Sequence, residues 1–219
     1  MVSVYTYPEP EFNRREILRY AGGGKGSDEV NQLMESCISE LDGKLAYRVC
    51  SCRFPIKREN DALDLGFASV KSDGLTRNLK GCDEIVLFAA TIGIEIDRLI
   101  ARYSRVSPAK ALMFQAIGAE RIESLCDVFN DELSQKERAS GRYTRPRFSP
   151  GYGDLPLELQ RRIFDVLDCP RKIGLSLNDS FLMSPSKSVT AIIGIGDDCE
   201  ERQGSKCGRC DNKSCSFRS

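Results

Sequence analysis

Histidine is absent from this sequence. Without imidazole, neither a Ser-His-Asp nor a Cys-His catalytic arrangement can be assembled, no His-ligated zinc or iron centre is available, and acid–base work near neutral pH would need a strongly shifted carboxylate or lysine. Most hydrolase chemistry is thereby excluded. What remains favoured is chemistry that moves no protons: binding, electron transfer, or displacement at an already activated carbon. Net charge is absent as well, since 32 Lys+Arg balance 32 Asp+Glu. No global field attracts a phosphate backbone or an anionic lipid surface, so no nucleic-acid partner is expected. Long apolar runs are missing too. The longest, Ile85 to Ile94, is about half the length that spans a bilayer. The opening MVSVYTYPEPEF has neither a basic region nor an uninterrupted apolar stretch. No membrane association is therefore expected, and the expected setting is cytoplasmic, with reduced thiols.

What is present suits a folded domain. The chain has 219 residues, 41% hydrophobic and 29% charged, enough apolar material for one large core and little more. Val30, Leu33, Met34, Cys37, Ile38 and Leu41 follow helical spacing after the cap Ser27. A shorter helix is predicted over Glu11 to Tyr20, terminated by Gly22 to Gly24. Leu45, Tyr47 and Val49, and then Leu63, Leu65 and Phe67, alternate as strands that would pair as neighbours. Ser72 caps a short helix through Leu79, Glu84 to Ala90 reads as a buried strand, and Ile96 to Tyr103 as a helix. Ser107-Pro108 opens a long helix with apolar positions at Leu112, Ile122, Leu125, Cys126, Phe129 and Leu133. At 1.5 Å per residue that helix is roughly 40 Å long, enough to cross the domain. Ala139 to Pro156 has no periodicity, a helix follows over Leu157 to Leu167, and Ser188 to Ile195 is the last strand. Strands and helices mix without a βαβ rhythm, which points to an α+β fold.

Within the irregular stretch, Arg145-Pro-Arg147-Phe-Ser149-Pro150-Gly151-Tyr152-Gly-Asp154 combines rigid prolines, glycines that permit close approach, and a planar guanidinium suited to carboxylates. Such a segment is either a holder for a small zwitterionic ligand or an ordinary connection between helices. Gly22 to Ser27 lacks P-loop spacing and follows a helix, so it reads as a terminator.

The ordered set Arg147-Phe-Ser-Pro-Gly151-Tyr152, Pro156, Ile173-Gly-Leu175, Ser180, Met183-Ser-Pro185 and Ser188-Val189 resembles the activation domain of cobalamin-dependent methionine synthase. Upstream, Phe88-Ala-Ala-Thr91-Ile-Gly93-Ile-Glu-Ile-Asp97, Ala119-Glu120-Arg121-Ile-Glu123 and Asp127 are similar to free-standing versions of that domain. The resemblance implies a single activation-type domain over 1–195, with a largely antiparallel twisted sheet, a long central helix and flanking helices. It implies S-adenosylmethionine as methyl donor in reactivating a synthase whose cobalamin is oxidised, with the cobalamin supplied by a corrinoid-bound partner acted on in trans. Arg147 would take the ligand's carboxylate, Glu123 its ammonium, with Asp127 one helical turn away as the alternative. Ser149, Pro150 and Gly151 would line the ligand, and Tyr152 would face the reacting methyl group or the corrinoid. The family's N-terminal acidic site has no counterpart here. A low-potential flavodoxin or ferredoxin would supply the electron. Displacement from a sulfonium requires positioning and no acid or base, so a chain without histidine is compatible with it. Two alternatives carry other partners or none: activation of another corrinoid methyltransferase, or a ligand- or metal-sensing module without methyl transfer.

Cys199, Cys207, Cys210 and Cys215 crowd a polar extension, 196–219. Four thiolates suit zinc or an iron–sulfur cluster, or form a redox-sensitive tail without metal. The cluster is preferred over zinc because activation consumes an electron. The six other cysteines are expected to be small core residues.

Overall fold

The computed structural model describes residues 1–22, 26–59 and 62–197. In chain order its elements are β1 (Ser3–Thr6), α1 (Arg14–Tyr20), α2 (Asp28–Leu41), β2 (Arg48–Pro55), β3 (Lys57–Glu59), β4 (Ala62–Asp64), β5 (Ser69–Val70), α3 (Asp73–Asn78), β6 (Glu84–Thr91), α4 (Glu95–Tyr103), α5 (Pro108–Arg138), β7 (Tyr143–Thr144), α6 (Leu159–Leu167), α7 (Cys169–Ile173), β8 (Ser176–Leu177), β9 (Met183–Ser184) and β10 (Ser188–Gly196).

The apolar run of β6 has no wet face because both of its faces are covered. Val86, Phe88 and Ala90 point into one core with residues of α1, α2, α4 and α5. Ile85, Leu87 and Ala89 point into a second, with α3, α6 and α7. β10 divides in the same way, Ala191, Ile193 and Ile195 to the first core and Ile192 to the second. These two strands are the middle of a five-stranded sheet ordered β1-β2-β6-β10-β7, antiparallel at every pairing. The α+β fold with a largely antiparallel sheet is therefore as expected.

The central helix α5 runs 31 residues from Pro108, which occupies its first turn, where a missing N–H costs nothing. Its middle is held by a buried ion pair. Arg121, fully buried, bonds Glu120 at 2.6 Å and donates to the carbonyls of Pro10 and Glu11 at 2.5 and 2.6 Å. Asn13 N donates to Glu120 at 3.1 Å. The chain between β1 and α1 is thus tied to α5 through satisfied polar groups, as burial of charge demands.

Several expectations change. The segment around Leu63 does not pair with β2; β4 pairs with β3 and β5 in a separate three-stranded sheet, because β1 and β6 already occupy both edges of β2. Leu112 is 55% exposed and lies off the apolar face of α5. The N-terminal strand β1 and the short helix α7 carry no periodicity long enough to read. Five of the six described cysteines are buried, and Cys52 is only half-buried. Among the described residues no helix is long and apolar enough to cross a membrane.

Candidate functional site

Two elements converge on Arg147. The first is α5, which presents Glu123, Asp127 and Asn130 at i, i+4 and i+7, one face of a helix. The second is the stretch 143–148, which is irregular in sequence but is held along the edge of β10. Arg145 N donates to Gly194 O at 2.8 Å, and Phe148 exchanges both backbone hydrogen bonds with Ile192, at 2.8 and 2.9 Å. Arg147 is therefore fixed by strand-like pairing on either side and not carried on a free loop.

Its side chain is 7% exposed. One guanidinium nitrogen, Nη2, donates to Glu123, and Nη1 donates to Asp127 Oδ1 at 2.9 Å. The Asn130 amide, oriented to satisfy both its ends, donates to Cys126 O at 3.3 Å and accepts from Arg147 Nη1 at 3.2 Å. Burial works against the guanidinium charge, but Cys126, Glu123 and Asp127 outweigh it and push the proton affinity of Arg147 up. The carboxylates lie on the wet side of the group, Glu123 at 42% and Asp127 at 67% side-chain exposure.

Beyond Arg147 the chain turns sharply. Gly151 has φ +82°, and a Cβ there would meet Leu157 Cδ1 at 3.1 Å, so both its conformation and its surroundings suit glycine. Gly151 N donates to Leu155 O at 2.8 Å and Tyr152 N to Ser149 O at 3.1 Å. The turn presents Tyr152 outward, 69% exposed, with its ring edge-on to Phe148 at 5.8 Å between centroids. Ser149 is half-buried and Pro150 buried beneath it.

The far end of the loop is anchored. Asp154 accepts from Ser72 Oγ at 2.6 Å and from the backbone N–H groups of Asp73 and Gly74 at 2.5 and 3.1 Å. Ser72 in turn caps α3, accepting from Leu75 N at 3.0 Å. The Ser72 hydroxyl, with the amides of Gly74 and Asp73, holds the Asp154 carboxyl below the usual carboxylate range.

Arg147, Glu123 and Asp127, separated by up to 24 residues of chain, are brought into direct contact, with Ser149, Pro150, Gly151 and Tyr152 continuing from Arg147. The sequence reading missed Asn130, and it included Asp154 at the end of the candidate segment without its partner Ser72. Helical spacing from Glu123 was a usable signal for Asn130; Asp154 depends on a partner 82 residues away. Cys199, Cys207, Cys210 and Cys215 lie outside the described residues, as do Gly23 to Lys25. Among the described residues, no group of three or more Cys, Asp or Glu is placed to hold a metal.

A buried cation beside two partly exposed carboxylates offers both signs of charge within one side chain's reach, the complement of an amino-acid headgroup. The fold that creates it is shared with a solved structure described as the MetH reactivation domain bound to AdoHcy, with a TM-score of 0.64 over 91% of this chain and 80% of that one, at 18% identity. The family model of the vitamin B12 dependent methionine synthase activation domain matches residues 67–214, a span that contains α3, α5, the Arg147 loop and β10, and the chain belongs to that family.

Proposed function

We propose that the protein binds S-adenosylmethionine at Arg147, Glu123 and the Ser149–Tyr152 turn, and donates its methyl group in the reductive reactivation of a cobalamin-dependent methionine synthase, acting in trans on a separate corrinoid-bound partner. The observation that carries this reading is the buried Arg147 in contact with two carboxylates of α5, in a chain of the activation-domain family. The solved relative, bound to AdoHcy, supports the same ligand class.

In this reading Arg147 binds the ligand's carboxylate through a charge-assisted N–H bond, and a carboxylate of α5 takes the ammonium. Asn130 keeps the guanidinium plane in place. The anchored Pro150-Gly151 turn limits the entropy lost on binding, and exposed Tyr152 offers an apolar face with a polar tip toward the methyl group or the docked partner. The partner's cobalamin, reduced by one electron from a flavodoxin or ferredoxin, is the methyl acceptor. The protein's own residues move no proton; they bind, orient and present the sulfonium, which is what a displacement with a good leaving group requires.

The test mixes the protein with S-adenosylmethionine, a low-potential reductant and inactive cobalamin-dependent methionine synthase. Recovery of methylcobalamin, followed by its absorption spectrum, is expected. Ligand binding without recovery would favour a sensing module or a different corrinoid partner.

A further inference from the structure

The Nη1 and Nη2 groups of Arg147 that a ligand carboxylate would pair with are already engaged. Nη2 bonds Glu123, while Nη1 bonds both Asp127 and Asn130. Both N–H groups of Nη1 are taken, so with the side chain 7% exposed another carboxylate reaches Nη1 only by displacing one of its two partners. The three are not equally easy to displace. Asn130 is neutral and is held from behind by Cys126 O. Glu123 is the less exposed carboxylate, at 42% against 67% for Asp127, so its pairing is less screened by water. Asp127 also shares Nη1 with Asn130, so its departure leaves that nitrogen still hydrogen-bonded.

We infer that Asp127 is an internal latch that occupies the carboxylate position on Arg147 in the free protein, and that a zwitterionic ligand enters by exchange: its carboxylate replaces Asp127 on Nη1 while its ammonium settles against Glu123. The inference rests on the S-adenosylmethionine reading and assigns opposite roles to two carboxylates one helical turn apart. Glu123 contributes to affinity. Asp127 competes with the ligand, and at 67% exposure it can swing into water without being buried unpaired. The exchange preserves the charge balance around the buried guanidinium, since one carboxylate takes the place of another.

Calorimetric titration of the full-length chain with S-adenosylmethionine tests this, comparing wild type with Asp127→Asn and Glu123→Gln, each variant first checked for an unchanged thermal transition. Asp127→Asn should tighten binding by roughly two- to five-fold, what an exposed ion pair is worth. Glu123→Gln should weaken it by about ten-fold or more, as loss of a charge-assisted hydrogen bond to the ligand does. An Asp127→Asn affinity equal to or weaker than wild type overturns the latch while leaving S-adenosylmethionine binding in place. Failure of the wild-type chain to bind S-adenosylmethionine at all overturns the ligand reading itself, and the latch with it.

Discussion

Ser72 and Asp154 lie 82 residues apart and meet through a 2.6 Å hydrogen bond from Ser72 Oγ to Asp154 Oδ1. This contact joins the end of the Arg147 loop to the first turn of α3, so the hydroxyl that caps the helix also fixes the loop. A Cβ on Gly74 would come within 2.8 Å of the same carboxylate oxygen, so a larger residue there would have to push the Asp154 carboxylate aside.

The Ser72 contact has a pH signature. The Asp154 carboxyl is held below its ordinary range by Ser72 and the α3 amides, so the contribution of its ionised form to stability is complete above the unfolded value of about 4 and is lost as pH falls through the lower folded value. Asp154→Asn should lower the thermal transition at pH 7 and bring mutant and wild type together in acid. A constant difference across pH would assign the effect to something other than ionisation.

Arg147→Ala should weaken S-adenosylmethionine binding by about 1.5–3 kcal/mol, the range for a hydrogen bond to a charged group. The fold should tolerate the change, because the two carboxylates it releases are already 42% and 67% exposed and can hydrate. Arg147→Lys should not restore affinity, since an ammonium cannot reproduce the planar fork. Calorimetry on folded variants that showed unchanged affinity would remove Arg147 from the site.

Tyr152 is too exposed to be a packing residue, at 69%. Tyr152→Ala should therefore shift stability by no more than about 0.5 kcal/mol, while methyl transfer to the corrinoid partner falls well beyond any change in ligand affinity. The assignment fails if stability and transfer decline together.

Gly151→Ala forces a Cβ into a left-handed conformation and to 3.1 Å from Leu157. The conformational part alone costs about 1–2 kcal/mol. Denaturant unfolding should show that loss, together with weaker ligand binding, because Arg147 and Tyr152 sit on either side of the turn.

The C-terminal cysteines are testable independently of the ligand site. A chain ending at Asp197, which keeps the 3.2 Å contact from Arg142 to Asp197, should bind S-adenosylmethionine as the whole chain does. Anaerobic purification of the whole chain should yield stoichiometric metal at Cys199, Cys207, Cys210 and Cys215, iron with sulfide and visible charge-transfer bands, or zinc without colour. Neither metal after such preparation would discard the metal site.

By itself, the sequence determined whatever depends on neighbours along the chain. Helical spacing sufficed for α2 and α5, Ser72 was legible as a cap, the apolar run of β6 marked a buried strand, and that of β10 marked a strand. The Arg147 to Tyr152 stretch was legible through residue types with strong backbone preferences. Tertiary structure alone decided which residues meet. The pairing of 143–148 with β10 involves too few residues for a period and arises because β10 offers an open edge. The small sheet holding β4 exists because β2 had no edge left to give. The state of Arg147 belongs to the same class: a guanidinium can be assigned to a ligand from its motif, but its engagement by Glu123, Asp127 and Asn130 depends on α5 lying across that edge, a distance in space that no spacing in sequence encodes.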